Sequence, residues 1–286
     1  MPAALLALVG ALVYGAADFL GGLATKRLTA LRAVAVAAVT GLVLLAVVAP
    51  IVGFAWVPAD ILWGAVSGVF GVMALVLLYA CLAVGPMSIL SPLTAVVSAI
   101  APMLWGLVVG GEVLGVLGYG GLLVAVIAVV LVGFVPERDA VRPTRLGLAM
   151  AVGSGLAIGG LLICLDQTSS AGGLLPLVAN RVVTTLATGA AVLTLLLAGR
   201  RTAGRPRLSR RGVLLGIGCG VLDAGANVLL LIALRVGDLS VVSALTALYP
   251  AGTIALAAVV LRERIAPVQW VGLALALTAG VMLGAA

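Results

Sequence analysis

The chain of 286 residues contains no histidine, and only 9% of its residues are charged. Without histidine it lacks the commonest metal ligand and the commonest acid–base group near neutral pH. With so little charge it is no soluble domain, since those carry about a quarter charged residues. Cysteine is scarce as well. Cys81, Cys164 and Cys219 each lie inside an apolar run, so they read as small buried residues rather than a disulfide framework. No ATP-binding motif occurs, which leaves an ion gradient or a solute's own gradient as a source of work. No basic segment precedes the first apolar run, so that run reads as a retained helix and not as a cleaved signal peptide.

What is present is apolar. Hydrophobic residues make up 64% of the chain and the mean hydropathy is +1.37. The formal charge of +7 sits in short connections between apolar runs. It therefore suits lipid headgroups and membrane topology, not nucleic acid. A bilayer core takes about 20 apolar residues per helix. Ten such runs can be marked, at 3–23, 31–52, 61–83, 88–110, 115–135, 146–166, 175–198, 212–234, 239–261 and 267–285. The polar segment Pro136–Arg145 divides them five and five, and a second polar segment, Gly199–Arg211, follows span 7.

The two halves share an ordered pattern. Gly85, Ser88, Ser91, Leu93, Thr94 and Ala95 recur in register as Gly237, Ser240, Ser243, Leu245, Thr246 and Ala247. After a one-residue slip Glu112 meets Glu263, and Gly121, Leu122, Ala125 and Gly133 meet Gly272, Leu273, Ala276 and Gly284. Such a run of Gly, Ser, Thr and Glu is an internal duplication. An odd number of spans per repeat inverts the second repeat in the membrane. Charge agrees: Lys26, Arg27, Arg32, Arg138, Arg142, Arg145, the six arginines of Gly199–Arg211, Arg262 and Arg264 all fall in or beside odd-numbered connections. The positive-inside rule then places those connections in the cytoplasm and both termini outside. The expected architecture is an all-α integral membrane protein of ten helices in two inverted five-helix repeats. These are residues 1–135 and 146–286, joined by a cytoplasmic linker at 136–145. Glycine pairs four apart, at 64/68, 106/110, 155/159 and 216/220, read as tight packing within one chain. A monomer and a homodimer both remain open.

Ionisable residues at membrane depth point to function. Three occur: Asp18 in span 1, Arg181 in span 7 and Asp223 in span 8. Counting about 1.5 Å per residue, Asp223 lies near the midplane, Asp18 roughly 7 Å to the cytoplasmic side and Arg181 roughly 6 Å to the outer side. All three are expected at one central cavity, where Arg181 reaches toward a carboxylate. A structural ion pair is the plainer alternative. Asn227 lies one turn from Asp223, Asn180 beside Arg181, and Tyr14 one turn before Asp18. Ser91, Thr94 and Ser98 form one stripe on span 4, while Ser243, Thr246 and Tyr249 follow its counterpart on span 9. Pro92, Pro102 and Pro250 are expected to kink these spans. Glu112 and Glu263 read as capping or loop-anchoring carboxylates.

The chain resembles the EamA-type members of the drug/metabolite transporter superfamily. In the first half the likeness rests on YGAADFLGG (Tyr14–Gly22) with Lys26, on LYACLAVGPMSILSPLTAV (Leu78–Val96) and on GGEVL (Gly110–Leu114). In the second it rests on ANR (Ala179–Arg181), LLLIALRVGDLSVVSALTALYP (Leu229–Pro250) and RERI (Arg262–Ile265). The resemblance implies two inverted repeats around a central cavity, and export or exchange of small metabolites without a cofactor. Ser98, Pro102 and Asp18 depart from the family's pattern. The expected function is a plasma-membrane secondary transporter of small metabolites or drug-like compounds that works by alternating access. Its partners would be a small-molecule substrate and the lipid bilayer. Asp223, Asp18, Arg181, Asn180, Asn227, Tyr14, Ser91, Thr94, Thr246 and Tyr249 are its candidate binding residues. An intramembrane aspartyl protease built on Asp18 and Asp223 is the enzyme alternative, though GAADF and VLDAG fit it poorly. A non-transporting scaffold is the third.

Overall fold

The computed structural model describes residues 2–84, 87–133, 144–197, 209–262 and 265–286. Every element among them is helical: α1 (Pro2–Thr25), α2 (Ala30–Val52), α3 (Pro58–Val84), α4 (Met87–Val108), α5 (Val116–Gly133), α6 (Arg145–Asp166), α7 (Leu175–Leu197), α8 (Arg210–Val236), α9 (Leu239–Thr246), α10 (Tyr249–Val260) and α11 (Pro267–Ala285). A backbone in lipid must satisfy its own polar groups, which a helix does and a lone strand cannot. Nine candidate spans occur among the described residues, one of them α9 and α10 taken together. The tenth expected span falls on α4, of which the stretch Pro92–Val108 is apolar among the described residues. The linkers expected at 136–145 and 199–211 lie mostly outside the described residues, as do Gly85 and Glu263.

Packing follows a regular scheme. Helix α1 lies along α8, and α6 lies along α3; α2 packs on α8, and α7 on α3; α4 meets α6, while α1 meets α9 and α10. The remaining main contacts join α2 with α7, α4 with α9, and α5 with α11. When α1–α5 are exchanged for α6–α11, the contacts of the first group pair off with one another and the last three map onto themselves. Small residues make these approaches possible, because lipid provides no hydrophobic drive between helices. A Cβ on Gly15 would collide with the Tyr249 carbonyl, and one on Gly252 would stand 2.8 Å from that of Leu12, so α1 and α10 touch backbone to backbone. Gly64, Gly68, Gly155, Gly159, Gly216 and Gly220 likewise face other helices of the same chain, as the intrachain reading of those three pairs expected, whereas Gly106 and Gly110 meet Glu112 and their own segment. Large apolar side chains such as Val43, Val47, Leu186 and Leu277 point outward instead, where acyl chains would cover them.

One expectation about the ninth span changes. The chain does not continue as one kinked helix over 239–261 but breaks at Ala247–Leu248, and Pro250 enters the first turn of α10. Pro250 has no N–H to bond to Thr246, and its ring crowds that carbonyl, so a continuous helix fails at this point. In α4, by contrast, Pro92 and Pro102 are both accommodated within one helix.

Candidate functional site

The three charges within the spans line one cavity. Arg181 on α7 donates from Nη2 to Asp223 Oδ2 on α8, and the side chains are 13% and 26% exposed. Neither charge is stable alone at this depth, and pairing offsets much of the desolvation of each. Asn227, one turn along α8, donates Nδ2 to the Asp223 carbonyl at 2.8 Å and approaches Oδ1 at 3.5 Å. Gly41 on α2 lies beside the arginine, where a Cβ would stand 3.6 Å from both Cδ and Nε.

Beside this pair lies a cavity of about 440 Å³ between α1, α2, α3, α7 and α8. It extends from Asp223 and Arg181 past Asp18 and Cys219 to Thr25 at the end of α1 and Ala33 near the start of α2. Ala37, Ala38, Val34, Leu75, Gly21 and Gly22 form apolar walls, and Thr184 adds a hydroxyl. Asp18 is enclosed by protein on nearly every side, yet its side chain is exposed because it faces this space. Among the described residues it has no hydrogen-bond or ion-pair partner, and Asp223 is near enough for its charge to be felt.

Tyr14 lies against Asn227, behind the ion pair. Asn180 turns away and donates to Ser67 Oγ at 2.8 Å, which ties α7 to α3. Thr94 is buried and donates to the carbonyls of Leu90 and Ala151, joining α4 to α6. Ser98 and Ser243 bond within their own helices. Thr246 is buried with its hydroxyl unpaired, and Tyr249 opens α10 within electrostatic reach of Asp18. The side chain of Ser91 lies outside the described ones. None of Tyr14, Asn180, Asn227, Thr94, Thr246 or Tyr249 lines the cavity. Three lining residues that the sequence reading passed over follow helical spacing from the charges: Gly22 is four after Asp18, Thr184 three after Arg181 and Cys219 four before Asp223.

The opposite end of the bundle is tied shut by polar contacts. Glu112, just after α4, accepts from the backbone N–H groups of Leu239 (2.7 Å) and Ser240 (3.0 Å) at the start of α9. The anchoring role expected for this carboxylate is what the geometry shows. Gly106 lets it fold back, since a Cβ there would meet Glu112 Oε2 at 2.5 Å. Asp60 on α3, 2% exposed, accepts from Ser169 N (2.9 Å) and Oγ (2.7 Å) in the α6–α7 connection. Arg235, in the last turn of α8, donates Nη2 to the carbonyls of Ser169 (2.9 Å) and Gly173 (2.7 Å). Ala55 N donates to the Ala171 carbonyl at 2.8 Å. Glu112 and Asp60 each bind the second half of the chain from the first. Asp238, beside Glu112, has its carboxyl pushed above the ordinary range, first by burial and then by the Glu112 charge.

Residues 145–285 match the EamA-like transporter family. No curated protein matches the chain. A solved crystal structure, described only as that of a protein, is similar over 98% of this chain and 95% of its own, with a TM-score of 0.77 at 15% identity. That likeness concerns the fold alone.

Proposed function

Since residues 145–285 belong to the EamA-like transporter family, we propose that the chain is a secondary transporter of small metabolites or drug-like compounds. It works by alternating access in the plasma membrane, in two inverted five-helix repeats. The observation that carries this reading is the asymmetry of the bundle. A cavity with charged residues at its inner end reaches toward the α1–α2 turn, while Glu112, Asp60 and Arg235 hold the other end together. A secondary transporter needs a site open to one side at a time. The matched helix contacts between the halves support the repeat, and the basic residues of the α1–α2 connection support a cytoplasmic position for the cavity mouth. The family implies a transporter and not an enzyme. Commitment of Asp223 to Arg181 also leaves no free carboxylate pair of the kind the protease alternative requires.

Saturable counterflow in proteoliposomes tests the reading. The native protein should exchange its substrate across the bilayer, and Asp223→Asn, which leaves Arg181 without its anion, should exchange it at least tenfold more slowly. Unchanged flux in Asp223→Asn removes the pair from the mechanism.

A further inference from the structure

The charges at the cavity do not balance. Arg181 and Asp223 neutralise each other, and Asn227 adds its amide to the same carboxylate. Asp18 remains, facing the cavity and without a partner among the described residues. The walls opposite it, Ala33, Val34, Ala37 and Leu75, carry no charge. The cavity lining therefore carries one carboxylate without a countercharge inside an apolar enclosure, and its ionised form is favoured only when a cation comes to it. A second carboxylate nearby makes that charge harder still to leave bare.

We infer that the substrate is a small amphipathic monocation, an amine or related base, whose charge sits on Asp18 while its apolar body fills the alanine-rich space beside α2. The inference rests on the transport reading above and names the substrate class of that same site. A carboxylate ligand meets the opposite balance. It must displace Asp223 from Arg181, leave two carboxylates unpaired, and approach Asp18 as a like charge. The basic residues at the mouth, Lys26 and Arg27, do not reverse this preference. They stand in water, where a Debye length of about 8 Å screens them, whereas Asp18 acts inside a low-dielectric space. An apolar body is favoured for the same reason that the walls are, since about 440 Å³ of largely apolar space is poorly filled by water.

The test compares two molecules of nearly the same shape and opposite charge, phenethylamine and phenylacetate, with phenylalanine as the zwitterion that combines both groups. Binding is read by thermal shift and by titration calorimetry on the detergent-solubilised native chain and on Asp18→Asn. Asp18 makes no hydrogen bond or ion pair among the described residues, and the melting temperature of the unliganded variant checks that it folds. The amine should bind the native protein at least about tenfold more tightly than the carboxylate, and Asp18→Asn should erase that preference. The inference is overturned if phenylacetate binds as tightly as the amine or more so. It is equally overturned if phenylalanine alone binds, if the amine does not bind, or if Asp18→Asn binds it unchanged. Because binding is measured without a membrane, an amine that binds but is never moved in proteoliposomes sinks the transport reading and leaves the charge preference standing.

Discussion

Removing the Glu112 carboxylate should loosen the closed end of the bundle, and the size of the effect can be worked from its two contacts. Each is a backbone N–H donating to an ionised oxygen, at 2.7 and 3.0 Å. Such bonds are worth about 1.5–3 kcal/mol apiece, with a smaller helix-terminus contribution of about 0.3–1 kcal/mol. Glu112 is half-buried and recovers water when the end opens, so the net bias toward closure is set at about 2 kcal/mol, below the gross sum. Glu112→Ala then raises the open population about 30-fold while that state is still rare, and Glu112→Gln, keeping one neutral acceptor, raises it about fivefold. The reporter is Ser240, which is fully buried and whose hydroxyl has no partner, so a thiol fits in its place. In a Ser240→Cys, Cys219→Ser background the remaining cysteines, Cys81 and Cys164, are buried. A membrane-impermeant maleimide added from the Glu112 side should label Cys at position 240 about 30-fold faster after Glu112→Ala, on the same estimate. Gly106→Ala, whose Cβ would displace the carboxylate, should give the same direction of change. A labelling rate within about twofold of the parent, with a lowered melting temperature, would refute the reasoning. Glu112 would then be a static cap of α9 and no part of a moving closure.

Two further outcomes follow from the charges. Arg181→Met leaves Asp223 uncompensated at membrane depth and should destabilise the protein by about 3 kcal/mol, at the low end for buried pairs because both side chains keep some exposure. The double variant Arg181→Met/Asp223→Leu should recover most of that stability in a thermal melt while remaining inactive in counterflow, which separates folding from function. Asp238 has a raised carboxyl pKa in the folded chain, so ionising it opposes closure, and that opposition disappears as pH falls below its folded value. Asp238→Asn should therefore slow the labelling of Cys at position 240 at neutral pH, opposite in sign to Glu112→Ala, and faster labelling would contradict the assignment.

The spans and the meeting of Arg181 with Asp223 were legible because both depend on counting residues along regular helices. Length and apolarity mark a span, and a fixed rise per residue puts two charges at matching depths. What stayed hidden depends on contacts between distant segments. Nothing local to Asn180 shows that it would turn to Ser67 instead of the cavity. The Thr94 stripe looked like a cavity wall, yet its hydroxyl binds Ala151 across the helix interface, as small hydroxyls in lipid often do. Glu112 could be read as an anchor, but its partners lie 127 and 128 residues away. Pro250 signalled a disturbance. Whether that would be a bend or a full break depended on how the freed backbone groups near Thr246 could be satisfied, which no local pattern states.

That break makes the two halves of the bundle mechanically unequal. The first half presents α4 as one rod of 22 residues. Its counterpart is an eight-residue α9, buried along its whole length, followed by a separate α10. A rod tilts as a unit, whereas a jointed pair can swing one segment and leave the other in place. The two halves of a transport cycle would then cross barriers of different height, even in a protein whose sequence repeats itself. The joint at Ala247–Leu248 would set which half-cycle limits turnover.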